Sequence, residues 1–445
     1  MRVVVDSGSY DLRNVGDISL MQACVKRILD RWPNASLEVL TDDPHRLVLA
    51  LPSATPLECE GRRMFLQRWN VLGGWHHFVP GPMKARFASL ESCVRMLNPT
   101  LATKWIGWRW AKRSIYAEPM HKFMDTMRKA DAVVATGGGY LTDEFPDHAL
   151  WVIMTLRIAQ RLGKPTALFG QGLGPLEDRT LRRKLLRTIR NADLVALRDG
   201  VAGSHLLDEL GCPKANVAVT GDDAVEMAYK QREQELGVYF GLNLRKAYYS
   251  SLDNKHLSHL HSVLSGLVSE FETCLVPIPI SWHREMDLDI IRSFAYGLPS
   301  ALWDAPGLDT PDGVIRQVGR CRLVVTGSYH AGVFALSQGI PVVGLAKSAY
   351  YKQKFLGLAD QFSGGCWVVC LDSPEFRSVL GEAIRHAWQR AEEIRSDLLK
   401  AAENQIERGW AAYNRFFDIV ERRREDRKEG KEASGRASSV GILPR

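Results

Sequence analysis

The sequence predicts an α/β protein made of two doubly wound, parallel-sheet lobes with a cleft between them, and three observations predict it. At 445 residues the chain has room for two or three domains with sizeable cores. Short apolar runs recur along it, each leading into a glycine-bearing loop and then an amphipathic stretch, the pattern of strands joined by crossover helices. These runs form two successive series, divided at the Gly211-Cys212-Pro213 turn. The expected organisation is an N-terminal lobe over 1–212, a second lobe over 213–380, helices over 381–420 packing across both lobes, and a disordered tail over 421–445.

The first series opens with Val3-Val4-Val5, a polar loop from Ser7 to Asp17, and Ile18, Met21, Val25 and Ile28 at helical spacing. Ala132-Val-Val-Ala135 then runs into Gly137-Gly138-Gly139, Thr166-Ala-Leu-Phe169 into Gly170-Gln171-Gly172-Leu-Gly-Pro175, and Leu194-Val-Ala-Leu197 into Arg198-Asp199. Amphipathic stretches such as 150–162 and 178–191 lie between them. The second series comprises Val217-Ala-Val219, Val238 to Asn243, Thr273 to Ile280, Leu323-Val-Val325, Pro341 to Gly344 and Trp367-Val-Val369. Strand exits from both sheets are expected to line the cleft, the usual ligand position in open α/β sheets.

Residues 60–128 fit this scheme badly. Trp69, Trp75, Trp105, Trp108 and Trp110 crowd there among Arg62, Arg63, Arg68, Lys112 and Arg113. Two readings stand: a helical insertion whose tryptophans pack onto the first lobe, or an amphipathic surface for a lipid-linked acceptor or a membrane interface.

Composition excludes several classes. The chain is 45% hydrophobic and 24% charged, and no segment approaches the roughly 18 consecutive apolar residues of a membrane span. The net charge is +7, and the last 25 residues, with eight basic and five acidic side chains, hold +3 of it. The remainder is too dilute for a nucleic-acid surface but suits small anions or an anionic membrane face. Eight cysteines without a CxxC pair predict buried free thiols, and no metal site is expected. No apolar signal core follows the first strand, which predicts a cytoplasmic protein, at the inner membrane face if it touches the membrane.

The residues able to carry chemistry sit at strand exits. Asn14-Val-Gly-Asp17 occupies the first strand-to-helix loop, where Asp17 either caps the helix or binds a hydroxyl. Gly138, in its run of three glycines, and Gln171, in its glycine-rich loop, offer backbone N–H groups to anionic or polyhydroxyl ligands. Between Cys321 and Gly344 the order is strand, Thr326-Gly-Ser328-Tyr329-His330, buried helix, Gly339 and a second strand. His330 is thereby placed near a helix N-terminus in the cleft, with Ser328 capping the helix or binding ligand.

Asn14-x-Gly-Asp17, the triple glycine, Gly170-Gln-Gly-x-Gly-Pro175, Leu197-Arg-Asp199, Gly221-Asp-Asp-Ala224, Asn243-x-Arg245, Ser328-Tyr-His330-Ala-Gly-x-Phe-Ala-Leu-x-x-Gly-x-Pro341 and Tyr351-x-x-Lys354 occur in that order. Together they resemble the polysaccharide pyruvyl transferase family over roughly residues 1–400. The resemblance implies a fold like that of GT-B glycosyltransferases, with Rossmann-like lobes. It also implies transfer of pyruvate from phosphoenolpyruvate to a sugar of a surface polysaccharide or its lipid-linked precursor as a cyclic ketal, with the phosphoenolpyruvate as donor substrate and no cofactor.

That chemistry needs a general acid, for which His330 suits, and planar cations for the donor's carboxylate and phosphate. Arg198 and Arg245 are the first choices and Lys354 the next. Asn14, Asp17, Gly138, Gln171, Ser328 and Tyr329 complete the expected substrate-binding set. Where many members carry Arg-Leu-His, this chain has Ser328-Tyr329-His330, and the cation that holds the donor is left open there. The alternatives are a GT-B glycosyltransferase using a nucleotide sugar and a non-catalytic sugar-binding relative.

Overall fold

The computed structural model describes residues 1–68, 70–71, 80–245, 254–283 and 286–439, so Trp69 and Trp75 lie outside the described residues. The first half alternates strands and helices: β1 (Arg2–Asp6), α1 (Val15–Arg31), β2 (Ser36–Thr41), α2 (Pro44–Ala50) and β3 (Thr55–Glu58). Four helices follow, α3 (Cys59–Leu66), α4 (Lys84–Leu97), α5 (Pro99–Ala111) and α6 (Glu118–Lys129). The alternation resumes with β4 (Ala132–Ala135), β5 (Gly138–Leu141), α7 (Pro146–Arg161), β6 (Thr166–Leu173), α8 (Arg179–Ile189), β7 (Leu194–Leu197), α9 (Ala202–Glu209) and β8 (Val217–Val219). These strands form one parallel sheet ordered β3-β2-β1-β4-β6-β7-β8, with β5 against β6. Val3, Val4 and Val5 are all buried because helices cover both faces.

The second half holds α10 (Ala224–Lys230), β9 (Tyr239–Asn243), α11 (Asn254–Glu270), β10 (Leu275–Pro277), α12 (Asp287–Phe294), α13 (Pro311–Gly319), β11 (Cys321–Thr326), α14 (Tyr329–Ser337), β12 (Val342–Ala346), α15 (Ala349–Gln361) and β13 (Cys366–Cys370). Its sheet, also parallel, is ordered β10-β9-β11-β12-β13. Every residue of α14 is buried. Gly339, at φ +76°, takes the left-handed turn that ends the helix.

The structure moves the lobe boundary. Val217–Val219 was expected to open the second series, but it pairs with β7 at the edge of the first sheet. The chain crosses between Thr220 and α10, whose Ala224, Val225 and Ala228 join the second-lobe core. The tail also differs from expectation. One helix, α16 (Phe376–Ser439), continues through residue 421, and Arg423 and Arg427 reach back to Asp193 and the Gly163 carbonyl. Further up the same helix, Leu380 and Ile384 pack on one face of the second sheet and Leu398 and Ala402 on the other, while Tyr413, Phe416 and Phe417 pack into the first lobe.

All eight cysteines are free, but not all are buried: Cys93 is exposed, and Cys274 and Cys370 are half-buried. The described residues between 60 and 128 form helices that pack onto the first lobe through Phe65, Met96, Ile106, Trp110, Met120 and Phe123. Arg62, grouped in the sequence with surface cations, is fully buried against Asp6, Tyr10 and Thr155. No helix among the described residues is long and apolar enough to cross a membrane.

Candidate active site

The lobes meet along a cleft of about 820 Å³. Backbone bonds knit its floor: Val15 N–H donates to Ile280 O at 2.9 Å and Trp282 N–H to Arg13 O at 2.8 Å, with a bridge between Asn14 and Ser281. Asn14 caps α1, its side chain accepting from Gly16 N and Asp17 N. Asp17 is therefore not the cap, and it lines the cleft. Burial pushes its carboxyl up to about 7, against the pull of Arg245 and Lys354.

Arg198, just beyond β7, is 3% exposed and stacks over the Tyr329 ring at 4.0 Å, with Asp199 3.9 Å from its Nε. Arg245 follows β9, and Lys354 projects from α15 with its Nζ 3.8 Å from the Tyr350 ring centre. These cations crowd one end of the cleft. Burial and repulsion from Arg198 and Arg245 hold Lys354 well below the usual lysine range. Glycines make the space: a Cβ on Gly139 would lie 2.8 Å from Lys354 Nζ and 2.9 Å from Arg198 Nη2, and one on Gly172 would lie 2.5 Å from Arg198.

His330, one residue into α14, lines the same end. Its ring rests on the backbone of α1, where a Cβ on Gly16 would stand 2.1 Å from the imidazole. Burial, then Arg198, Lys354 and Arg245, hold its pKa well below the ordinary histidine value. These surroundings disfavour the charged imidazole. Behind it, Asp222 Oδ2 lies 3.9 Å from His330 Nε2, and neither buried atom has a hydrogen-bond partner among the described residues. Burial raises Asp222 to about 6. Its other oxygen accepts from Ala224 N at the start of α10.

Another part of the lining is aromatic and acidic. Tyr10 stacks on His148 at 4.6 Å, Tyr140 lies 4.6 Å from the same imidazole, and Asp11 and Asp42 line the rim. Desolvation lowers His148 to about 4.

Eight expected residues line the cleft together: Asn14, Asp17, Arg198, Arg245, Ser328, Tyr329, His330 and Lys354. Two do not. Gln171 is fully buried and donates to Thr136 O and Tyr140 Oη, bracing the aromatic wall from behind. Gly138 sits under the Tyr140 ring at φ +153°, and it is Gly139 that lines the cleft. Ser328 holds the N-cap position of α14 without a side-chain cap bond. Asp222 belongs to the Gly221-Asp-Asp-Ala224 motif, whereas Tyr10, His148 and Tyr350 were not singled out. Only Tyr350, which donates to Gly139 O at 2.7 Å, carried a signal, from its place beside Tyr351-x-x-Lys354. Among the described residues no three His, Cys, Asp or Glu side chains gather as metal ligands.

A family model described as polysaccharide pyruvyl transferase matches residues 14–348, three quarters of the chain, with Arg198, Arg245 and His330 inside the match. The chain belongs to the polysaccharide pyruvyl transferase family. Similar solved structures agree on the fold of this pyruvyl transferase. A Listeria monocytogenes protein provisionally described as a UDP-N-acetylglucosamine 2-epimerase is 14% identical, with a TM-score of 0.55 over 96% of this chain and 97% of its own. A glycosyltransferase from Rickettsia africae ESF-5 is 9% identical, with a TM-score of 0.50 over 95% and 98%. At such identity they show the fold alone, which is GT-B. No curated protein sequence matches significantly.

Proposed function

We propose that this pyruvyl transferase moves pyruvate from phosphoenolpyruvate onto two hydroxyls of a sugar in a surface polysaccharide or its lipid-linked precursor, as a cyclic ketal. The observation that carries the reading is the convergence of Arg198, Arg245 and Lys354 around His330 in a space kept open by glycines. A donor bearing a carboxylate and a phosphate relieves that repulsion, and the guanidinium forks match both groups. Tyr10, Tyr140 and His148 in the same cleft suit a sugar ring, with the rim carboxylates taking its hydroxyls.

The reaction then balances as follows. His330, protonated once the donor anion is bound, gives its proton to the methylene carbon of phosphoenolpyruvate, creating cationic character at the neighbouring carbon. One sugar hydroxyl bonds there while Asp17, which lines the same cleft, takes its proton. The bond to the phosphate oxygen breaks, inorganic phosphate leaves, and the second hydroxyl closes the ketal. Of the two hydroxyl protons, one replaces that spent on the new methyl group and the other leaves with phosphate. Asp222 orients the imidazole from behind.

Two measurements test the donor. Phosphoenolpyruvate is expected to raise the melting temperature by mass action while a panel of nucleotide sugars does not. Its binding is expected to take up protons, because an anion among these cations opposes the downward shifts at His330 and Lys354, so affinity strengthens as pH falls. Calorimetry in buffers of different ionisation enthalpy reads the uptake, and proton release, or stabilisation by a nucleotide sugar alone, overturns the assignment. Arg198→Lys and Arg245→Lys, which keep the charge and lose the fork, are each expected to weaken donor binding about 10-fold. Unchanged affinity in both moves recognition to Lys354 and the backbone near Ser328.

A further inference from the structure

Helices α4 and α5 each present two apolar faces. One is buried, with Met96 of α4 and Ile106 and Trp110 of α5 in the first-lobe core. The other is exposed. Leu90, Val94 and Leu97 on α4, and Leu101, Trp105 and Trp108 on α5, follow helical spacings of four and three and are 45–70% exposed. Nine of the seventeen exposed large apolar side chains among the described residues fall between Met83 and Tyr116. That is a concentrated patch rather than the scatter of single side chains normal on soluble surfaces.

Charge on the same segment is one-sided. From Gly81 to Ala117 every exposed charged side chain is basic: Lys84, Arg86, Lys104, Lys112 and Arg113. The segment's single acid, Glu91, is 1% exposed, lies 3.7 Å from Arg95 and accepts from Val71 N. The aromatic anchors are held in place, since Trp105 Nε1 donates to Val71 O, the Trp105 and Trp108 rings stack at 5.2 Å, and Lys112 Nζ stands 4.0 Å over Trp108.

We propose that this face docks on an anionic lipid bilayer. The leucines and tryptophans enter the headgroup boundary, and the five cations meet lipid phosphates around them. A second copy of the chain fits poorly, because a two-fold contact across this face would set the same cations against each other. The sequence-level surface is corrected in its members: Arg62 is buried and Arg63 pairs with Asp42, so neither meets headgroups. The Arg63–Asp42 pair instead ties the insertion to the cleft rim.

The test is co-sedimentation of the full chain, without substrates, with vesicles of phosphatidylcholine alone or mixed with phosphatidylglycerol. Wild type is expected on the anionic vesicles, less so at high salt. Lys104→Gln, Lys112→Gln and Arg113→Gln combined should lower partition on the order of 100-fold at low salt, about fivefold per cation. Leu97→Ser with Leu101→Ser should lower it at least about 10-fold at any salt. Wild type that ignores anionic vesicles, or either variant binding as wild type does, overturns the proposal. Wild type that self-associates, or that binds an acidic protein instead of lipid, through these side chains also overturns it. Heat protection by phosphoenolpyruvate, read on the same samples, reports on the donor assignment separately.

Discussion

His330→Ala is expected to lower kcat by about 10²- to 10⁴-fold, the usual contribution of a positioned general acid, while phosphoenolpyruvate still protects the variant against heat. The argument starts from contacts rather than residue type. The imidazole is clamped between the α1 backbone at Gly16 and the carboxylate of Asp222, at the cationic end of the cleft. A group that acts on the transition state shows its loss in kcat, whereas in the proposed reading the donor's charge is held by Arg198, Arg245 and Lys354. Gly16→Ala provides an independent route to the same result. Its methyl would stand 2.1 Å from the ring, so the imidazole must move although its chemistry is intact. Steady-state kinetics on both variants decides the matter. More than about a tenth of wild-type kcat in His330→Ala removes this residue from the acid role.

Much of the fold was readable because parallel strands covered on both faces appear as unbroken apolar runs, and Val3-Val4-Val5 and Leu323-Val-Val325 are of that kind. Val217–Val219 misled for a definite reason. A three-residue strand at a sheet edge says nothing of its neighbour, which here is β7 of the first lobe. The tail misled in another way. Its charge pattern looks solvated, yet Arg423 and Arg427 find partners on the first lobe that are far away in sequence.

The cations of the site were legible in part because Arg198 and Arg245 follow strands and His330 opens a helix, the positions a doubly wound sheet directs into its cleft, whereas Lys354, within α15, was marked only by Tyr351-x-x-Lys354. The aromatic lining was not legible. Tyr10 lies in a polar loop and His148 on a helix without a motif, and only folding stacks them. Gln171 and Gly138 show the limit of motif reading. Side chains along a strand alternate between faces, and a run of three glycines gives no phase for deciding which one approaches the ligand. The departure at Ser328-Tyr329 acquires a physical sense, since the Tyr329 ring supports the Arg198 guanidinium from beneath.

Arg62→Met is expected to destabilise the protein by about 3–5 kcal/mol, the cost of leaving one member of a buried ion pair without its partner. Arg62 and Asp6 are both fully buried and 3.1 Å apart, and Tyr10 Oη donates to Asp6 at 2.8 Å. Two guanidinium nitrogens have no hydrogen-bond partner among the described residues, but the group lies over the rings of Tyr10 at 4.6 Å and Trp151 at 5.6 Å, which favour a cation. Its removal strands the Asp6 carboxylate and loosens Tyr10, the residue stacked on His148 in the cleft. Urea unfolding reads the first effect. The second should appear as a higher KM for the acceptor with donor affinity unchanged, because Arg62 and Tyr10 are not among the cations proposed to hold the donor. Asp6→Leu added to Arg62→Met should recover much of the lost stability, since apolar replacement of both partners removes the uncompensated charge, but not the acceptor KM. A loss below about 1 kcal/mol in the single variant, or a double variant weaker than the sum of the two singles, would show that this buried pair is not what fixes the insertion to the cleft wall.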